Sequence, residues 1–108
     1  MYFYTMPKID QLKQFLVAQP TDAFLLHALA LEYIKLGNDT DALNTFTTLL
    51  EHTPSYVGSY YHLGKLYERL QQVKLAIQAY ENGMVHAKAQ HENHAYSELR
   101  GSLEELTM

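Results

Sequence analysis

Apolar residues recur along this chain in steps of three and four. Ile9, Leu12, Phe15 and Leu16 form one set, Leu26, Leu29, Ala30 and Tyr33 a second, and Ala42, Leu43, Phe46, Leu49 and Leu50 a third. That is the period of one helix face, and no stretch alternates for long enough to suggest a sheet. The breakers fall between the sets: Pro7, Pro20, Gly37-Asn38-Asp39, Pro54-Ser55 and Gln71-Gln72. The pattern predicts helices near residues 7–18, 22–36, 39–52, 56–70, 73–89 and 92–106. Pro7 suits a first turn, where its missing N–H is not needed. Asp22, Ser55 and either Asp39 or Thr40 are placed to accept a bond from an orphan N–H of the helix that follows. Gly37 fits a left-handed residue just past a helix end. Such short connections predict that sequential helices pack antiparallel.

The sets also repeat over a longer distance. Leu29 pairs with Leu63, Ala30 with Gly64, Tyr33 with Tyr67, Leu36 with Leu70, Ala42 with Ala76, Leu43 with Ile77, Phe46 with Tyr80 and Leu50 with Met84, each step being 34 residues. A fixed period of this length marks a helical repeat array. The first copy reads Leu26-x2-Leu29-Ala30-x2-Tyr33, then Ala42-x3-Phe46, then Pro54. The second reads Tyr60-x2-Leu63-Gly64-x2-Tyr67, then Ala76-x3-Tyr80, with Lys88 in the place of the proline. In this pattern the chain resembles the tetratricopeptide repeat family. The small residues at 30, 42, 64 and 76 let two helices approach closely, and the large ones fill the gaps around them. The resemblance implies an all-α fold, a right-handed α–α superhelix of helix hairpins.

The two copies span residues 23–56 and 57–90. Residues 7–20 read as a degenerate half-repeat, because Leu12, Phe15, Leu16 and Pro20 stand where Phe46, Leu49, Leu50 and Pro54 stand one period later. Residues 91–108 read as a capping helix, with Tyr96, Leu99, Leu103 and Leu106 on one face and Glu98, Arg100, Glu104 and Glu105 on the other. Lys88 predicts that the helix before the cap runs on past the usual end. Residues 1–108 are thus expected to form a single domain.

The resemblance implies where a partner sits, since in this family the first helix of each repeat lines a concave groove. By position that face carries Phe24, His27, Leu31, Ile34 and Lys35 in the first repeat, and Tyr61, His62, Lys65, Glu68 and Arg69 in the second. One subgroup of the family clamps a terminal carboxylate with lysine and asparagine at set positions. His27 and Leu31 occupy those positions here, so that mode is not expected. Residues 23–36 are apolar nearly all round, which implies burial on more than one side. Either the first helix or Tyr2-Phe3-Tyr4 folds over this helix, or Phe24, Leu31, Ile34 and Tyr61 form a patch for an amphipathic helix or extended peptide. A short array also has few neighbours, so two copies burying each other as a homodimer is a further expectation.

Composition narrows the function classes. A net charge of −4 argues against a nucleic-acid binder. The chain has no cysteine, so thiolate chemistry and disulfides are excluded. No apolar run reaches the length of a membrane span, and residues 1–6 lack the charged and apolar regions of a signal peptide. Met6 is an alternative start to Met1, and the expected location is the cytoplasm. The second repeat is locally basic, with Lys65, Arg69, Lys74 and Lys88 against Glu68 and Glu81, which suggests a mild preference for an acidic partner.

Catalytic patterns are missing from the sequence: no nucleophile elbow, phosphate-cradling loop or dinucleotide fingerprint occurs. No enzyme activity and no cofactor are expected. His86, His91 and His94 are the one grouping with metal-ligand character, but their spacing is not that of a zinc-protease motif. His52 and His86 stand near the ends of equivalent helices, where a protonated imidazole is favoured. The expected function is a protein–protein interaction module, a scaffold or adaptor with a partly apolar groove. The self-associating unit and, more distantly, the histidine metal module are the alternatives.

Overall fold

The structure, a computed structural model, describes residues 7–108. Tyr2-Phe3-Tyr4 lies outside the described residues. Within them the chain forms six helices and no strand: α1 (Lys8–Ala18), α2 (Ala23–Lys35), α3 (Asp39–His52), α4 (Val57–Arg69), α5 (Val73–Ala89) and α6 (Asn93–Thr107). They fall into two compact units, one ending at His52 and one beginning at Thr53. The all-α repeat reading is correct, and every helix end lies within a residue of its expected place. α5 runs past His86, the counterpart of His52, to Ala89, as the loss of proline at position 88 predicts.

Local chemistry sets these ends. The Asp22 carboxylate accepts the Leu25 N–H at 2.9 Å and caps α2. Ser55 does not cap α4 as expected. Thr53–Tyr56 closes as a turn, with the Tyr56 N–H bonded to the Thr53 carbonyl at 3.1 Å and Pro54 at the second position. Helix therefore begins only at Val57, and Tyr56 is its N-cap without a side-chain cap bond. Asp39 and Thr40 lie within the first turn of α3 rather than before it. Asp39 and Asp41 place negative charge there, where the helix dipole favours it.

Three helices end in the same hydrogen-bonded turn. After α2, Gly37 N–H bonds the Ile34 carbonyl and Asn38 N–H bonds the Tyr33 carbonyl. After α4 the same pair runs from Gln71 to Glu68 and from Gln72 to Tyr67; after α5, from His91 to Lys88 and from Glu92 to Ala87. Each turn needs a left-handed residue. Gly37 has φ +76°, whereas Gln71 and His91 are held at φ 59° with a side chain present. Replacing Gln71, the counterpart of Gly37, by glycine is expected to stabilise the fold by roughly 0.5–1 kcal/mol, after allowing for the extra freedom of the unfolded chain. A higher urea midpoint would show it, and an unchanged or lower one would contradict it.

In the first unit α2 packs between α1 and α3. Leu26, Leu29, Ala30 and Tyr33 of α2 and Ala42, Phe46 and Leu49 of α3 are buried, which fits the all-round apolar character of α2. From α1 only Leu12 is buried, while the Lys13 ammonium reaches over the Tyr33 ring at 5.8 Å. The ammonium donates a hydrogen bond to the hydroxyl oxygen of that tyrosine, which holds the Lys13 pKa above its usual value. Phe15 departs from expectation: the repeat places it with fully buried Leu49, yet it is 59% exposed. Among the described residues α2 is the main neighbour of α1, and the side of α1 that carries Phe15 is left exposed.

In the second unit α5 packs against both α4 and α6. Gly64 of α4 abuts the Tyr80 ring so closely that a β-carbon there would lie 2.2 Å from Cε1. Gly83 of α5 sits equally tightly against Tyr60 and Leu99. The Tyr80 hydroxyl donates to the Glu68 carboxylate of α4 and is also bonded by Ser102 of α6, a buried residue. One phenol thus ties three helices together. Tyr60 fills the place of the family's tryptophan, donates to the Pro54 carbonyl at 2.6 Å and stacks on His86 at 5.7 Å.

Candidate functional site

On α2 the expected partner face is only partly free. Phe24 is 69% exposed, so α1 does not cover it. Leu31 and Ile34 are half-buried, and Lys35 is exposed. His27 is half-buried, and its ring meets the Phe46 ring edge-on at 6.2 Å, which commits part of it to the packing of α2 on α3. The Lys35 ammonium lies 3.3 Å from Glu32 of its own helix.

On α4 the corresponding residues sit beside a pocket of about 330 Å³ between α4 and α6. Buried Val57 and Leu99 form its floor, half-buried Tyr61, His62 and Ala95 its walls, and exposed Gly58 and Glu98 its rim. Tyr61 and His62 meet edge-on at 5.5 Å. Burial lowers the His62 pKa, and the negative charge of Glu98 across the pocket pulls it partly back. Lys65 lies outside the pocket lining. Its ammonium pairs with Glu68 at 3.5 Å and rests over the Tyr61 and Tyr80 rings at 5.5 and 5.9 Å. Arg69 is exposed at the end of α4.

Sequence reasoning missed the contribution of α6. Ala95 stands one period after Tyr61, and Glu98 one period after Gly64, so stepping the 34-residue register once more finds both. Assigning α6 only a capping role hid them. Its apolar stripe is otherwise as expected, with Leu99 buried and Tyr96, Leu103 and Leu106 half-buried, but Ser102 joins it.

The histidines do not converge. His86 is spent on Tyr60, His91 occupies the left-handed turn, and His94 lies 3.5 Å from Glu98. Among the described residues, no group of three or more His, Cys, Asp or Glu side chains is placed to hold a metal ion. Nor is any described helix long and apolar enough to cross a membrane.

A tetratricopeptide repeat family model matches residues 57–84, the α4–α5 hairpin. A tetratricopeptide repeat domain protein from Salinibacter ruber is 42% identical to this chain. Its crystal structure superposes with a TM-score of 0.76, the match covering 80% of this chain and 96% of that one. This chain belongs to the tetratricopeptide repeat family. The solution structure of the same Salinibacter domain agrees, with a TM-score of 0.77 and coverage of 81% and 88%. A Bordetella parapertussis protein, 22% identical, shares the fold with a TM-score of 0.81 over 95% of this chain and 90% of its own. No curated protein sequence gives a significant match.

Membership of the tetratricopeptide repeat family places the chain in a fold that generally mediates protein–protein contact. Its second repeat is the copy the family model recognises, and it has glycine at position 64 where the first has Ala30.

Proposed function

We infer that this tetratricopeptide repeat protein is a non-enzymatic adaptor that holds a peptide or helix of a partner protein. In the second unit the binding residues are Tyr61 and His62 on α4, with Ala95 and Glu98 added from α6; in the first unit Phe24, Leu31, Ile34 and Lys35 of α2 form a contact surface of their own. The observation that carries this reading is the α4–α6 pocket: an apolar floor and walls left open between two helices that each pack chiefly on α5. The exposed ring of Phe24 on the corresponding face of α2 supports it.

Substitutions that leave the core alone provide the test. Tyr61→Ser and Phe24→Ser are expected to lose a polypeptide that the unmodified chain captures from its native host, while keeping its helicity and melting temperature. Capture that persists undiminished in both variants, with both folded, would remove both surfaces as binding sites.

A further inference from the structure

We propose that the α4–α6 pocket takes an apolar side chain from a basic partner segment, with a lysine or arginine of that segment paired to Glu98. This rests on the reading of the face as a protein-binding site and names the chemistry of its partner.

The pocket dictates the first half. Val57, Tyr61, Ala95 and Leu99 offer a mainly hydrocarbon surface, and about 330 Å³ suits one or two side chains. The rim dictates the second. The charged and titratable groups near it are His62, Lys65 and Glu68 on α4 and His94, Glu98 and Arg100 on α6. Lys65 is neutralised by Glu68, and Arg100 by Glu104 at 2.8 Å. Among the described residues Glu98 forms its ion pair with His94, an imidazole 91% exposed and charged only when protonated, while His62, whose pKa burial lowers, faces it across the pocket. The α6 helix and its N-cap carry Glu92, Glu98, Glu104 and Glu105 against one arginine, so its field at the rim is negative.

This proposal takes a basic partner where charge counts along the second repeat suggest an acidic one. Those counts included Lys65, which pairs with Glu68 of its own helix, and they left out the glutamate that α6 brings to the pocket. An ion pair at a solvated rim adds little raw affinity, so the apolar anchor dominates binding and Glu98 selects among anchors.

A positional-scanning library of acetylated nonapeptides, each with a central leucine, phenylalanine or serine, tests this with the full chain. Binding is read by fluorescence polarisation and by amide chemical shifts. Leucine or phenylalanine peptides flanked by lysine are expected to shift Tyr61, Ala95 and Leu99, and to bind about fivefold tighter than the same peptides flanked by glutamate. Glu98→Lys is expected to invert that order, and serine-centred peptides are expected to lose binding. Binding at the same residues that ignores flanking charge, or a lysine preference that survives Glu98→Lys, overturns the proposal and leaves the groove reading intact. Shifts absent from the pocket with every peptide overturn both.

Discussion

Gly64→Ala is expected to lower the melting temperature by about 5–10 °C. In most helix interiors the same substitution stabilises, because alanine is favoured over glycine by about 1 kcal/mol. Here the added carbon would lie 2.2–2.7 Å from three atoms of the Tyr80 ring. Tyr80 is fully buried and anchored at its hydroxyl, so it has no room to swing aside. Overpacking of this kind costs about 1–3 kcal/mol, which outweighs the helix-propensity gain at all but the low end. Position 30 supplies the control. It holds alanine as the counterpart of Gly64, and Ala30→Gly is expected to destabilise as well, by roughly 1 kcal/mol from propensity alone. Thermal melts of the two variants would thus fall on the same side of the parent for opposite reasons. A Gly64→Ala melt at or above the parent's would mean that α4 and α5 are not so closely apposed.

Tyr80→Phe is expected to destabilise by about 1–3 kcal/mol, because it strips a hydrogen bond from a part-buried carboxylate. Lys65 remains beside Glu68, which holds the loss below that of an unpaired buried charge. The effect also has a pH signature. Burial is the main cause that raises the Tyr80 pKa far above its ordinary value of 10, and the bond to Glu68 adds to it, while Ser102 opposes it. The folded state therefore keeps this proton when the unfolded chain loses it. That contribution is complete below pH 10 and declines as pH rises above it, by up to about 1.4 kcal/mol per pH unit. Tyr60, whose pKa burial also raises, adds in the same direction. Urea midpoints measured from pH 8 to 11 should fall more steeply for the parent than for Tyr80→Phe. Parallel curves would contradict the assignment.

Much of this fold was legible because repeat packing writes itself into spacing. The small residues at 30, 42, 64 and 76 and the rings at 46 and 80 fall in register, and all six are buried; Tyr33 is buried as well, while its counterpart Tyr67 is half-buried. What escaped depends on geometry that no residue type announces. Ser55 looked like a cap, but Pro54 completes a turn that delays the helix. Phe15 looked like core by register, but register does not supply the neighbour that would bury it. Ser102 reads as surface, and only the fold brings it to the Tyr80 phenol. The site was half legible. Tyr61 and His62 follow from repeat position, whereas Glu98 reads as solvent-facing until α6 is seen to wall the pocket.

The central claim is that the face carrying Tyr61 and Ala95 holds a partner polypeptide. Site-specific photocrosslinking tests it most directly, with a benzophenone amino acid placed at 24, 61 or 95 and, for comparison, at exposed Gln78 or Glu81 of α5. The account predicts one and the same crosslinked polypeptide from 61 and 95 in the native host, and none from 78 or 81. Equal yields from all positions, or a product of twice the mass of this chain from 61 and 95, would contradict it.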